Sequence, residues 1–418
     1  MRVLYSLILY VITPLVLARL LLRSRANPDY RHRWGERLGW SPRLPARPRL
    51  WVHAVSVGEV VAAAALVAGL RRRFPGHAIL ITTTTPTGSA EVIRRFGNSV
   101  EHCYLPYDLP DGVARFLARA RPERLLVMET ELWPNLYRAC ARRGIPVMVV
   151  NARLSARSAR GYARIRPLVR QTLAQVSGIA ARGEEDARRF LALGARPDQV
   201  RVSGNIKYDL TLSDDLIRAA ATLRAQVGER PVWIAASTHP GEDEQVLAAH
   251  RSLLSRWPHA LLILVPRHPE RFDAVAALCR TQGFAVARRS AGLPPEAGDA
   301  VWLGDTMGEL MLLYGVASVA FVGGSLVPTG GHNPLEPAAH GVGVVTGPQV
   351  FNFTEVYQAL ERAGGVCRVA DTDGLAEAVS ALWADLSGRR AMTTAARRVL
   401  DENRGAVERV LDWVAQAS

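Results

Sequence analysis

A chain of 418 residues is long enough for two or three domains, and 49% hydrophobic against 22% charged residues is the composition of a folded protein, which excludes a wholly disordered chain. The net charge of +14 is unevenly carried: residues 1–210 hold net +19 and residues 211–418 net −5, so the basicity that suits an anionic partner belongs to the first half. Four scattered cysteines, Cys103, Cys140, Cys279 and Cys367, form no CxxC pair, which excludes a zinc knuckle and argues against a disulfide-framed secreted module.

Val3–Ala18 carries no charge, and with Arg19 and Leu20–Leu22 it gives a 20-residue apolar run, about 30 Å of helix. Residues 1–22 are therefore expected to be a membrane-anchor helix. It is long enough to span a bilayer, and lying in the interface is the alternative. A cleaved signal peptide fits poorly, because arginines rather than a small-x-small site follow the run. Arg23, Arg25, Arg31, Arg33 and Arg37 against the lone Arg2 place the rest of the chain in the cytoplasm. Beside an anionic membrane surface these arginines have a partner, which weakens a nucleic-acid reading; no zinc-finger spacing or RRM-like aromatic motif supports one either.

After a basic connector over 23–49, apolar runs alternate with helical stretches. Strands are expected at Leu50–Val55, Ala78–Thr83, Leu125–Met128, Pro146–Val150 and Ser177–Ala181, with helices at Glu59–Phe74, Gly88–Phe96 and Leu132–Arg143 between them. Residues 211–230 read as a linker region, beyond which the grammar restarts with Val232–Ala236, Leu261–Val265, Ala300–Leu303, Val316–Val322 and Gly341–Thr346. Short apolar runs between helices imply parallel sheets covered on both faces. The expected class is α/β: two Rossmann-like domains, 50–210 and 231–400, facing an interdomain cleft, with a C-terminal helix over 401–418 that can pack back on the first domain. Ligands in such folds sit at the carboxyl ends of the strands.

Every chemically suggestive run follows an expected strand. His53–Glu59 holds Ser56, Gly58 and Glu59. Ser56 and Glu59 have capping-box spacing, while a carboxylate in that place, with its pKa raised, can also deprotonate a hydroxyl. Met128–Pro134 brings Glu129 and Glu131 directly after a strand, and spacing does not separate their roles. Gly204–Asp209 contains Lys207, the only lysine against 51 arginines; a compact ammonium there can stabilise departing negative charge. In the second half Ser237 and Thr238 open a helix as caps or phosphate ligands. Pro266, Arg267 and His268 present a guanidinium fork suited to phosphate. Met307, Gly308 and Glu309 can meet a base ring, and Asn333, Pro334, Leu335 and Glu336 follow a glycine-rich turn, with Glu336 placed to accept ribose hydroxyls. No Walker A run, no GxGxxG after a strand and no HExxH or clustered His/Cys/Asp set is present, so neither a kinase, a dehydrogenase nor a bound metal is expected.

Taken together, the runs HAVSVGE, TETELWP, GNIKYD, PRHPERF, GDTMGEL and GGHNPLEPA resemble the 3-deoxy-D-manno-octulosonic acid (Kdo) transferase family of lipopolysaccharide synthesis. The resemblance implies a GT-B fold and an inverting transfer of Kdo from CMP-Kdo to lipid IVA at the cytoplasmic face of the inner membrane, without a catalytic metal. It implies Glu59 as the base, Glu129 or Glu131 with Lys207 as transition-state helpers, and Ser56 and Gly58 beside the Kdo. On the donor side it implies Arg267 and His268 for the phosphate, Met307, Gly308 and Glu309 for the nucleotide, and Asn333 with Glu336 for base and ribose. The rivals are another GT-B enzyme using a UDP-sugar and a lipid acceptor, which a preference for UDP over CMP would reveal, and a non-enzymatic membrane-tethered binding protein, which gives no reason for acidic runs after successive strands.

Overall fold

The computed structural model describes residues 1–25 and 27–416. The chain divides into two compact units, Met1–Asp209 with Arg404–Ser418, and Leu210–Asn403.

The first unit is built on seven parallel strands: β1 (Arg49–His53), β2 (Ala78–Thr83), β3 (Glu101–Tyr104), β4 (Arg124–Met128), β5 (Val147–Ala152), β6 (Gly178–Ala181) and β7 (Val200–Val202). Their spatial order is β3-β2-β1-β4-β5-β6-β7. Side chains alternate between the two faces, as period-2 geometry requires. Trp51, Leu125, Val127, Val147 and Val149 pack on one side with Phe116, Leu136 and Phe190. Leu50, Val52, Leu126, Met128 and Val150 pack on the other with Leu66, Val67 and Leu70. Both faces are dry, so these strands read as unbroken apolar runs. The second face is completed from the far end of the chain: Ala406, Val410, Leu411, Trp413 and Val414 of helix Ala406–Gln416 are buried in it.

The second unit repeats the plan with β8 (Val232–Thr238), β9 (Leu261–Pro266), β10 (Val286–Arg288), β11 (Val301–Leu303), β12 (Val319–Val322), β13 (Gly343–Thr346) and β14 (Cys367–Arg368), all parallel in the order β10-β11-β9-β8-β12-β13-β14. In each unit the strand order reverses at one place, β1 between β2 and β4, and β8 between β9 and β12. That reversal opens a crevice at the carboxyl edge of a doubly wound sheet.

Three segment boundaries differ from expectation. Residues 23–49 are more than a connector: the Trp34–Arg37 turn buries Glu36 and Arg37, the Glu36 carboxylate taking the Tyr104 amide at 2.7 Å and Arg37 donating to the Thr84 carbonyl at 2.9 Å. The span 211–230 is no linker. It holds helix Asp214–Val227, capped by Ser213, whose Leu223 and Val227 enter the second unit's core. The last helix of the second unit runs to Asn403, so the return to the first unit falls at Arg404.

Helix Arg2–Arg23 is the one described helix long and apolar enough to cross a membrane. Pro14 lies inside it.

Candidate functional site

The first unit's carboxylates gather at the carboxyl edge of its sheet. β1 ends at His53, and Ser56 caps helix Val57–Arg73, so Glu59 lies in the first turn. The expected capping box forms only in part. Ser56 accepts no helix amide; its hydroxyl donates to Glu59 Oε1 at 3.3 Å, while Glu59 Oε2 takes the Val55 amide at 2.8 Å. Gly58 is exposed and nothing approaches its Cβ position within 4 Å, which leaves room beside Glu59. Burial pushes the Glu59 carboxyl up to about 7, the Val55 amide opposes this, and the charges of Glu129 and Glu131 push it further up. Glu131 is likewise raised to about 7, by burial first and then by Glu129. The three carboxylates therefore stand in one another's field.

Their roles separate by partner. Glu129 follows β4 directly with a left-handed φ of 56°, which turns its carboxylate to Arg182, 3.6 Å away and just past β6. Glu131 has no such counter-charge among the described residues, and burial with the Glu129 charge raises its carboxyl to about 7 instead. Because the folded state keeps protons on Glu59 and Glu131 that the unfolded chain releases above pH 4.5, their contribution to stability is full below pH 4.5 and is lost as pH rises through about 7. Glu131→Gln is accordingly expected to raise the melting temperature more at pH 8 than at pH 5, read by calorimetry.

Lys207 sits on the single turn Ile206–Tyr208, whose Asn205 side chain takes the Lys207 amide at 3.1 Å. Two neighbours fix that turn. Asn151, buried near the end of β5 with φ 53°, accepts the Ile206 amide at 3.2 Å and interrupts the β5–β6 register. Asp209 receives the Gly405 and Val407 amides, each at 2.5 Å, and so closes the start of helix Ala406–Gln416, where a carboxylate also meets the helix dipole. Asp209 in the GNIKYD run is thus a clasp for the returning chain. Asp209→Ala is expected to cost roughly 2 kcal/mol of stability, measured as a drop in urea midpoint.

His53, in the same run as Glu59, is fully buried and held neutral, its pKa lowered to about 4, with Nδ1 at 3.1 Å from the Thr82 carbonyl.

In the second unit the glycine-rich run does something other than cradle a ligand. Glu242, fully buried, accepts the His239 and Gly324 amides on Oε2 at 3.0 and 2.6 Å, and the Ser325 and Leu326 amides on Oε1, both at 2.9 Å. A side chain of the protein already fills that nest of N–H groups. The close approach that demands glycine is internal: a Cβ at Gly323 would stand 2.7 Å from the Ser237 carbonyl. Ser237, at φ 61°, is the bulge that breaks the β8–β9 register. The Thr238 hydroxyl donates to Asp243 at 2.6 Å, and its carbonyl takes the Arg267 amide and the Arg271 guanidinium. The hydroxyl of Thr238 thus serves the fold.

The guanidinium of Arg267 and three imidazoles crowd the same edge. His239 and His332 stack with ring planes 9° apart and Nε2 atoms 2.9 Å from each other. His268 meets His239 edge-on at 5.5 Å. Burial first, then the neighbouring imidazoles and Arg267, lower both members of the pair, His332 to about 3. An anion brought here would find Arg267 and up to three imidazoles. Asn333 Nδ2 donates to Glu336 at 3.3 Å, and its Oδ1 takes the Leu335 amide, which sets Pro334 and Leu335 at the head of helix Leu335–Ala339. Met307 is exposed, Gly308 adopts φ 87°, and Glu309 is gripped by Nε and Nη2 of Arg289 at 3.1 and 2.8 Å and by the Thr306 hydroxyl, which depresses its carboxyl. Pro266 closes β9 directly before Arg267.

Arg182, Asn151 and His239 went unread in the sequence. Each follows or ends an apolar strand run, which is the one signal that marks them. Among the described residues no group of three or more His, Cys, Asp or Glu side chains is placed to hold a metal ion.

Comparison with known proteins gives a consistent result. The family model for 3-deoxy-D-manno-octulosonic-acid transferase (kdotransferase) matches residues 32–210. A 3-deoxy-D-manno-octulosonic acid transferase of Haemophilus influenzae is 46% identical over 98% of this chain and 97% of its own. The Bordetella pertussis protein of the same name is 39% identical over 90% and 89%. Among solved structures, UDP-GlcNAc 2-epimerase from Neisseria meningitidis covers 88% of this chain and all of its own at a TM-score of 0.57 and 15% identity, a likeness of fold.

Proposed function

Because this chain belongs to the 3-deoxy-D-manno-octulosonic acid transferase family, we propose that it transfers Kdo from CMP-Kdo to lipid IVA, with inversion, as a membrane-attached enzyme of lipopolysaccharide synthesis whose two sheet units lie on the cytoplasmic side. The observation that carries the reading is the 46% identity to the Haemophilus influenzae transferase along almost the full length of both chains.

The residue roles rest on the geometry of each unit. Glu59, half-buried and poised near neutrality, removes the proton from the acceptor hydroxyl as its oxygen bonds to the anomeric carbon of Kdo. The carbon–oxygen bond to the CMP phosphate breaks, and the electron pair leaves on the phosphate oxygen. Lys207 and Arg267 receive that charge. Attack from the face opposite the leaving phosphate inverts the centre. Glu129, paired with Arg182, holds fixed charge beside Glu59, and Glu131 keeps the base from titrating too low. Arg267, His268 and the His239–His332 pair support a site for the donor's phosphate and carboxylate. The Met307–Glu309 turn and Asn333 with Glu336 are assigned to the cytidine. Ser56 and Gly58 leave space for the sugar. A net +19 over residues 1–210 suits the phosphates of the acceptor.

Incubation with CMP-Kdo and lipid IVA, followed by mass spectrometry of the lipid, tests the reading. One or more Kdo additions are expected; an unmodified lipid, or transfer only from a UDP-sugar, rejects it. Lys207→Ala is expected to lower kcat roughly 10²-fold or more with a smaller change in KM, since its charge acts on the leaving group.

A further inference from the structure

The sequence allows the first helix either to cross a bilayer or to lie in its interface, and the packing of that helix separates the two. Its covered positions are Arg2, Tyr5, Ser6, Leu9, Thr13, Val16, Leu17 and Leu20, with Ser24 just beyond its end. These steps of three and four make one stripe along the entire helix. The first turns of the stripe are polar and are bound to the first unit: Arg2 donates to Asn135 Oδ1 at 3.0 Å, Tyr5 to Asp108 at 3.1 Å, and Ser6 exchanges hydrogen bonds with Asn135. Tyr10, at the edge of the stripe, donates to Asp111 at 2.5 Å. At the other end Arg31 donates to Ser24 at 2.8 Å and Arg23 lies over the Tyr30 ring. The outward face is the apolar one, with Val3, Leu4, Leu7, Ile8, Val11, Ile12, Leu15, Leu21 and Leu22 exposed.

This is an amphipathic helix turned inside out relative to a surface helix in water. The polar groups of its first half hold the protein, and an apolar edge faces outward along its length. A helix of 22 residues is about 33 Å long. If it spanned a core of about 30 Å, its two ends would emerge on opposite sides, and only one could touch a folded unit in water. Here the first half is fastened to the folded unit through Asp108, Asp111 and Asn135, while the second half runs directly into the turn Pro28–Arg31 of that same unit, so Asp108 and Asp111 would have to enter hydrocarbon to follow the first half across. No acidic residue occurs before Asp29, whereas Arg2, Arg19, Arg23 and Arg25 lie along the helix and past its end, a charge pattern that complements anionic lipid heads.

We infer that the amino-terminal helix is a monotopic membrane rail: it lies flat, clamped to the first unit by Asp108, Asp111 and Asn135, and sinks its outer face into one leaflet of an anionic bilayer. The inference rests on the membrane attachment proposed above, and it is tested by topology, independently of sugar transfer. Asn135 and Asp108 also link the rail to the chemistry. Asp108 takes the Asn135 and Leu136 amides at 2.9 and 2.7 Å and so seats the start of helix Pro134–Ala141, directly after the Glu129–Glu131 loop.

The test uses the full chain carrying Cys367→Ser, since the other three cysteines are buried, and an added cysteine before Met1. In a bacterial host, a membrane-impermeant maleimide is expected to label that cysteine in inverted inner-membrane vesicles at least tenfold more than in intact spheroplasts. Labelling from the spheroplast side overturns the inference, as does recovery of the chain in the soluble fraction. In a second arm, Leu7→Glu with Val11→Glu and Leu15→Glu is expected to abolish flotation with phosphatidylethanolamine–phosphatidylglycerol vesicles while CMP binding stays unchanged; retained flotation overturns it. Transfer assayed in detergent decides the reaction separately.

Discussion

Glu59→Gln is expected to lower the rate of Kdo transfer by roughly 10²–10⁴-fold, the usual worth of a general base, while CMP binding stays within about twofold. The Val55 amide and the Ser56 hydroxyl bond to separate oxygens of Glu59; glutamine keeps its one oxygen for the Val55 amide and can turn its NH2 to the Ser56 hydroxyl oxygen as a donor, so the first turn of the helix is little disturbed. What is lost is the basic lone pair. The same substitution removes a carboxylate that burial holds near neutrality, so stability at pH 8 is expected to be retained or improved. Loss of turnover with a retained melting temperature separates the base from a structural cap. Turnover above about a tenth of wild type would be too high for the loss of a general base and would leave Glu59 only its place in the helix turn.

Glu242→Ala is expected to be the most damaging single change to the second unit, at about 3–5 kcal/mol. The carboxylate is the shared acceptor of four backbone amides from two loops, after β8 and after β12. Removing it strands those donors in a buried place, and a loss of that size is a large share of a typical domain stability of 5–15 kcal/mol. The β12 loop leads into the turn that carries His332, Asn333 and Glu336, so CMP affinity is expected to fall with stability. Urea unfolding checks the first and calorimetric titration with CMP the second. A change below about 1 kcal/mol would show that water replaces the carboxylate at little cost.

The central strands of both sheets were legible because both of their faces are buried. Leu125–Met128, Val232–Ala236 and Leu261–Val265 are unbroken apolar runs for that reason. The four strands that went unread, β3, β7, β10 and β14, are the four sheet edges. Their sequences, Glu-His-Cys-Tyr, Val-Arg-Val, Val-Ala-Arg and Cys-Arg, are short and partly exposed. An edge strand has one neighbour and no reason to be uniformly apolar. Expected strand ends also ran long. Val316–Ser318 is a turn and the strand starts at Val319, because apolarity marks burial rather than extension.

The site was legible in part for a related reason. Runs placed after strands had to fall at the carboxyl edges, and Glu59, Glu129, Glu131 and Lys207 do so in the first unit. What the sequence concealed was which polar groups serve the fold. Asp209 stands in a run that looks catalytic and Glu242 beside Ser237 and Thr238, yet Asp209 spends its oxygens on backbone amides 196 and 198 residues away, and Glu242, besides the nearby His239 amide, on three amides 82 to 84 residues away. Such partners have no local signature. Ser237 and Asn151 carry left-handed backbones at register breaks, a strain that only the assembled sheet maintains.

The pH dependence of kcat/KM for wild type, Glu59→Gln and Glu131→Gln tests the proton-transfer assignment most directly. Wild type is expected to show an acidic limb with a midpoint near 7, the value to which burial and neighbouring carboxylates bring Glu59. Glu131→Gln removes one of the charges that raise it and is expected to move the limb to lower pH, while Glu59→Gln is expected to leave only a weak residual rate without that limb. An acidic limb that persists unchanged in Glu59→Gln would assign the acceptor's proton to a different group and contradict the account.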